Sequence, residues 1–263
     1  MKIFWSALFV LMTAALPLSA ADLSGNEIVQ RSLETFYYSG GDLRARVNMK
    51  LINPQGQVRE REMTMLRLNL GQSGDQRYYL YFHAPADVKG TAFLVWKYPG
   101  KDSDRWIYIP AVKLVKRIAA DDKRSSFVGS DFTYEDVSGR NVEDETHTLL
   151  RQEALGGRPV YVVESRPKGV ADYARRLSWI DRERWLPLKE EYFDGHNEPL
   201  RTFTADKVEQ KNDHWTVMLR TMRNLQNGHR TEVVFRDVEY GVGLKQEIFS
   251  ERYLRDAPAQ WVR

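Results

Sequence analysis

The chain has 263 residues, a formal net charge of +3 from 39 basic and 36 acidic side chains, and no cysteine. Without thiols it can form neither disulfides, nor thiolate nucleophiles, nor zinc–thiolate sites, so hydrophobic burial must hold it together. Charges of both signs are interspersed along the whole length, which leaves no basic patch or stripe of the kind that nucleic acids need.

Met1 and Lys2 precede an apolar run from Ile3 to Leu16, followed by Pro17, Leu18 and the small-residue exit Ser19-Ala20-Ala21 before Asp22. Residues 1–21 therefore read as a secretory signal peptide, because the run falls short of the roughly 18 to 20 apolar residues that span a bilayer. A bacterial lipobox needs a cysteine to acylate, and none exists. The expectation is an exported periplasmic protein, soluble rather than lipid-anchored, whose mature part is the single domain 22–263.

Ser24-Gly25-Asn26-Glu27 has capping-box spacing, and Ile28, Val29, Leu33, Phe36 and Tyr37 recur at helical spacing up to Gly40-Gly41, which predicts one amphipathic helix. Strand alternation then takes over: Ala45, Val47, Met49 and Leu51 alternate with Arg44, Arg46, Asn48 and Lys50 before a turn at Asn53-Pro54-Gln55-Gly56. Further strands are predicted at 77–82, 91–98, 105–109, 160–165, 175–180, 188–193, 201–209, 214–223 and 230–240. Asp194-Gly195 and Asn227-Gly228 read as tight hairpins. No linker or repeat divides this meander. So long a run of strands is unusual as a flat open sheet and suits a strongly curved one wrapped around helices.

Residues 117–139 depart from the pattern, being rich in Asp, Ser and Gly and without alternation. A loop of that length is commonly a lid or a disordered excursion, and Phe127, Val128, Phe132 and Tyr134 in it need an apolar seat. A lid over an apolar cavity provides one; an ordinary surface loop with its aromatics laid on the outer sheet is the competing reading.

Val88-Lys89-Gly90-Thr91-Ala92-Phe93-Leu94, Asp104-Arg105-Trp106-Ile107-Tyr108-Ile109-Pro110-Ala111, Arg117-Ile118 and the run from Ser126 to Asp136 together resemble the LolA-like outer-membrane lipoprotein-sorting protein family, in a branch of larger relatives. The resemblance extends more loosely through Trp185-Leu186-Pro187-Leu188-Lys189 and Ile248 to Leu254. It implies a mainly β fold with few helices (α+β): an incomplete antiparallel β-barrel, or curved sheet, wrapped around short helices and a lid. It also implies an apolar interior that receives acyl chains.

A chain of roughly 16 carbons hides on the order of 10 kcal/mol of apolar surface when it leaves water, which demands such a cavity. Trp96, Trp106, Tyr108, Phe127, Phe132 and Tyr134 lie in or beside the matched motifs and are the candidate cavity and lid contacts. Met49, Met63, Met65, Met218 and Met222 would adapt the wall to chains of differing shape. Plain core packing is the competing role for each. Asp131, Glu135 and Asp136 are candidates to latch the lid by pairing with Arg117 and Arg124, against the alternative of solvated loop charges.

Catalysis finds little support. The acids Asp121, Asp122, Asp131, Glu135 and Asp136 could form a carboxylate pair only at a separation that sequence does not specify. His83, His147, His196, His214 and His229 lack convergent metal-ligand spacing, and no nucleophile elbow, phosphate loop or dinucleotide fingerprint occurs. The expectation is therefore a non-enzymatic, cofactor-free and metal-free periplasmic carrier, monomeric and in transient membrane contact. It would take a lipid or acylated lipoprotein from an inner-membrane transporter toward the outer membrane. The alternative is an envelope-stress sensor resembling the LolA-like half of MucB-type regulators, though their second domain is not evident here.

Overall fold

The computed structural model describes residues 23–71 and 74–263; the expected signal peptide lies outside them. Helix α1 (Gly25–Tyr38) starts where the capping box predicts. Glu27 N donates to Ser24 Oγ at 3.2 Å, and Ser24 N donates to Glu27 Oε2 at 2.8 Å. Gly25 lets the helix start against the sheet, since a Cβ there would meet the His147 carbonyl oxygen at 2.6 Å.

The strands are β1 (Asp42–Ile52), β2 (Val58–Leu70), β3 (Asp75–Ala84), β4 (Ala92–Lys97), β5 (Asp104–Ile109) and β6 (Leu114–Arg117), then β7 (Glu145–Leu155), β8 (Arg158–Pro167), β9 (Arg175–Asp181) and β10 (Pro187–Phe193). β11 (Pro199–Lys211), β12 (His214–Asn224) and β13 (Arg230–Tyr240) complete them. All belong to one curved antiparallel sheet in the order β6-β5-β4-β3-β2-β1-β13-β12-β11-β10-β9-β8-β7. The join between the first and last hairpins is β1 against β13, with Val47 opposite Phe235 and Met49 opposite Val233. The barrel is left open, because β6 and β7 are its two edges.

Both edge strands, like β2, lie outside the strands that the alternation pattern predicts. Leu114–Arg117 and most of Glu145–Leu155 are exposed or half-exposed, so neither carries a hydrophobic period. The predicted two-residue hairpins also loosen. At Asp194-Gly195 the loop runs to Glu198 and the left-handed residue is Asn197 (φ 62°), not Gly195. After β12 the Asn224 amide bonds the His229 carbonyl across a longer loop.

Strand parity divides the side chains. Leu43, Ala45, Val47, Met49 and Leu51 of β1, with Met63, Tyr78, Phe82 and Phe93, face the concave interior. Two fillers occupy that interior. Helix α1 covers the β7–β9 side, where Ile28 and Val29 pack on Val163 and Ile180. The segment between β6 and β7 fills the side walled by β1–β5, through Phe127, Phe132 and Val137. The C-terminal carbonyls of α1 and its exit are satisfied by side chains from the sheet: Gln76 Nε2 donates to Tyr37 O at 2.8 Å, Asn69 Nδ2 to Tyr38 O and Gly40 O at 2.7 Å, and Arg67 to Ser39 O.

The convex face of β2–β5 is apolar as well, and the C-terminal segment covers it. Leu244, Ile248, Phe249, Leu254 and Val262, partly on the short helices α2 (Arg252–Arg255) and α3 (Ala259–Val262), pack on Leu66, Tyr79, Leu94 and Trp106. Among the described residues no helix is long and apolar enough to cross a membrane.

Leu254 is 1% exposed beneath this covering layer, so Leu254→Ala should lower unfolding free energy by about 2–4 kcal/mol in urea titrations. Leu225→Ala, at a position 44% exposed, should change it by less than about 0.5 kcal/mol. Equal effects would show that the convex layer contributes nothing.

Candidate functional site

The segment between β6 and β7 forms the floor of the site. Its tip is a tight loop: Phe127 N donates to Phe132 O at 2.7 Å, Ser130 N to Phe127 O at 3.0 Å and Ser126 Oγ to Ser130 O at 2.6 Å. Val128 (φ 50°) and Gly129 (φ 79°) turn the chain in the left-handed region, which is strained for a β-branched residue. The loop thereby drives Phe127 and Phe132 into the interior. Phe127 is 2% exposed, with the rings of Phe93, Tyr134 and Phe82 at 5.3, 5.6 and 6.0 Å.

Around these rings lies an apolar chamber walled by Met49, Met63, Met65, Leu80, Val233 and Phe235. It keeps only about 30 Å³ of free space, room for little more than one water. Phe127 and Phe132 themselves fill most of the chamber.

Beside the chamber runs a charged layer that anchors the loop. Glu135 pairs with Arg140 at 2.7 Å and Lys123 at 3.4 Å, and Asp136 pairs with Arg201 at 3.2 Å. Arg201 also pairs with Asp172 at 2.8 Å. Asp131 Oδ2 accepts from Thr231 Oγ1 and lies against His229 Nδ1, both at 2.7 Å. Farther along, Arg176 pairs with Glu145 at 2.7 Å and Glu190 at 3.4 Å. Burial pushes the Glu145 carboxyl up, but Arg176 and the Tyr173 hydroxyl outweigh it, so the net shift is downward. Burial raises Asp172 despite Arg201.

The segment leaves the interior at Gly139 (φ 72°), where a Cβ would meet the Tyr37 ring at 2.6 Å. Just before it, buried Lys97 Nζ donates to Ser138 O at 2.8 Å; burial, reinforced by Arg105, pulls that ammonium down to about 7.

Only half of the expected cavity residues converge. Phe127, Phe132 and Tyr134 meet in the interior. Trp96, Trp106 and Tyr108 sit on the convex face under the C-terminal segment, with Trp96 Nε1 donating to Phe249 O at 2.7 Å. The reason is parity: on β4 the inward residues are Phe93 and Val95, which puts Trp96 outside.

The expected latch residues likewise find ion-pair partners other than those expected. Asp131, Glu135 and Asp136 do anchor the segment, but not through the arginines expected. Arg117 is exposed and pairs with Asp104, and Arg124 approaches only Asp121, at 3.9 Å. The partners are Arg140, Arg201, Lys123, His229 and Thr231. An arginine in an alternating strand reads as solvent-facing, so sequence offered no signal for Arg201. The acidic loop residues are spoken for by these cations, which removes the carboxylate-pair reading from Glu135 and Asp136.

A family model described as an uncharacterized protein matches residues 74–256. No curated protein matches the chain. Among solved structures, a putative outer membrane lipoprotein-sorting protein domain from Vibrio parahaemolyticus is 32% identical with a TM-score of 0.82, over 88% of this chain and 98% of that one. A DUF1329 family protein from Desulfovibrio piger is 28% identical with a TM-score of 0.81, over 88% and 97%. A LolA superfamily protein from Nitrosomonas europaea, 19% identical with a TM-score of 0.69 over 88% and 100%, shares the fold.

Arg201→Met should strand Asp136 and Asp172 without their cation and cost roughly 3 kcal/mol, near the lower end for broken buried pairs because both carboxylates are partly wetted. Denaturant unfolding and protease cleavage between 118 and 139 would report it, and wild-type values would refute the anchor.

Lys97 carries a separate signature. Its folded pKa of about 7 lies below the unfolded value of roughly 10.4, so the unfolded chain binds the extra proton between them. Its contribution to stability should therefore rise with pH through that window. Lys97→Met should abolish that part of the slope in pH-dependent melting.

Proposed function

The chain belongs to the LolA-like family of outer-membrane lipoprotein-sorting proteins, and on that premise we propose that it is a periplasmic carrier of acyl chains rather than an enzyme. Residues 22–263 act as one carrier unit after removal of the signal peptide. The cargo is a lipid or acylated lipoprotein, received from an inner-membrane transporter during transient membrane contact by a monomeric protein.

The observation that carries this reading is the methionine-lined chamber filled by Phe127 and Phe132 from a strained, ion-paired loop. Exposing two buried phenylalanines costs about 3–6 kcal/mol, whereas withdrawing a chain of roughly 16 carbons from water gains on the order of 10. An exchange of rings for acyl chain is thus favourable with a modest surplus, as reversible capture and release require. Methionine walls suit it because unbranched thioethers repack around either occupant. Asp131, Glu135 and Asp136 guide the loop back when the guest leaves.

Native mass spectrometry and lipid extraction on protein purified from periplasm without detergent should find an acyl species at near one-to-one stoichiometry. Phe127→Asp, which puts an unpaired charge in the chamber, should lose capture at unchanged export, and Phe127→Ala should keep it. A clean apo mass after incubation with phospholipid vesicles would sink the carrier reading.

A further inference from the structure

Of the interior arginines, Arg140, Arg176 and Arg201 pair with carboxylates, and Arg67 and Arg105 donate to backbone carbonyls; Arg220 does neither. It stands on β12 between Met218 and Met222, at a point where the strand turns side chains inward. A charge at an inward position between apolar neighbours breaks the pattern that folding alone would favour, and such breaks gather at functional places. Arg140, Arg176 and Arg201 each hold an acid within 3.2 Å. Among the described residues Arg220 makes neither an ion pair nor a hydrogen bond, and its Nε is buried without a partner. What surrounds the guanidinium is aromatic: Phe235, Phe132 and Phe36 at 4.9, 5.3 and 5.6 Å from their ring centroids.

Its position is as unusual as its isolation. Arg220 borders three adjoining cavities: the methionine-lined chamber, the charged cavity by Arg176 and Tyr173, and a third beside Arg67 and Tyr78. It is therefore the cation at the junction of the apolar chamber and the polar layer. One of its three rings, Phe132, belongs to the loop that a guest displaces. Burial lowers its pKa, opposed by Tyr37, Asp136 and Tyr78, but a guanidinium keeps its proton at any physiological pH. The result is a fixed positive charge with no carboxylate in ion-pair contact, because Asp136, which lines the same chamber, is paired with Arg201 instead.

We propose that Arg220 is the anion-binding residue of the interior, and that the guest is an anionic amphiphile whose hydrocarbon replaces Phe127 and Phe132 while its carboxylate or phosphate pairs with the Arg220 guanidinium. The inference rests on the carrier reading and narrows it: a neutral acyl chain fills the chamber but leaves Arg220 unpaired. A planar guanidinium accepts either oxyanion in a two-pronged bond, so the structure specifies the charge and not the group that bears it.

The test titrates delipidated protein with palmitate, palmitoyl lysophosphatidylglycerol and neutral monopalmitoylglycerol, below the concentration at which each aggregates. Wild type should bind at least one of the two anionic probes about tenfold or more tightly than the neutral one, the worth of one charge-assisted bond. Which probe gains separates carboxylate from phosphate. Arg220→Met should bind all three alike, with the neutral probe unchanged or tighter, and Arg220→Lys should recover part of the preference. Arg220→Met should also melt at a higher temperature in the absence of ligand, since it removes a desolvated charge that no ion pair or hydrogen bond offsets. No preference in wild type, or an anionic preference retained in folded Arg220→Met, would overturn the assignment and leave the carrier reading standing. Failure of every probe to bind would overturn both.

Discussion

The two strands that edge the open sheet, β6 and β7, are consecutive in the chain, and whatever joins them must cross the open side of the barrel. That constraint shapes the rest. The connecting segment cannot stay on the surface without leaving the wall of β1–β5 uncovered, so it folds inward and contributes Phe127, Phe132 and Val137 to the core. Once inside, its backbone and acids need partners, and these come from distant strands: Arg201 on β11, Thr231 on β13 and Lys97 on β4. Helix α1 meets the same demand from the other side, with its last carbonyls taken by Arg67, Asn69 and Gln76.

The interior is consequently built of two materials that respond differently to opening. The methionine and phenylalanine chamber gains from any apolar occupant, through burial that is not directional. The charged layer is directional, and each ion pair holds the loop in a definite geometry. A pocket of apolar surface alone would close in many ways, and a loop held by charges alone would have no reason to enter. Together they define a single packed arrangement of the loop.

Much of this was legible in the sequence and some was not, for reasons of exposure and parity. The helix was readable because Ser24 and Glu27 cap it locally. The inner strands were readable because one face alternates, as in Ala45-Arg46-Val47-Asn48-Met49. The family motif could be recognised because it is continuous in the chain: β4, β5, β6 and the loop tip are successive elements from the inner wall to the lid. What escaped was non-local. Ala92–Trp96 is apolar on both faces, so no alternation says which way Trp96 points, and only the distant cover of Phe249 and Leu254 decides it. Arg201 and Arg220 look like ordinary outward charges until the sheet's curvature turns them inward. The edge strand Glu145–Leu155 has no buried face to betray it.

The layer laid by residues 244–263 over β2–β5 gives the chain a peculiar order of assembly. Tyr79, Leu94 and Trp106 are made early, yet the side chains that shelter them, Phe249 and Leu254, emerge only after β13, and β1 waits similarly for β13. Growth of the chain from the ribosome thus leaves β2–β5 with one greasy side wet until residues 244–262 arrive. Those strands cannot complete their packing, and stay prone to association, until that later stretch has been made. The convex layer thus ties the burial of an early part of the sheet to residues far downstream in the chain.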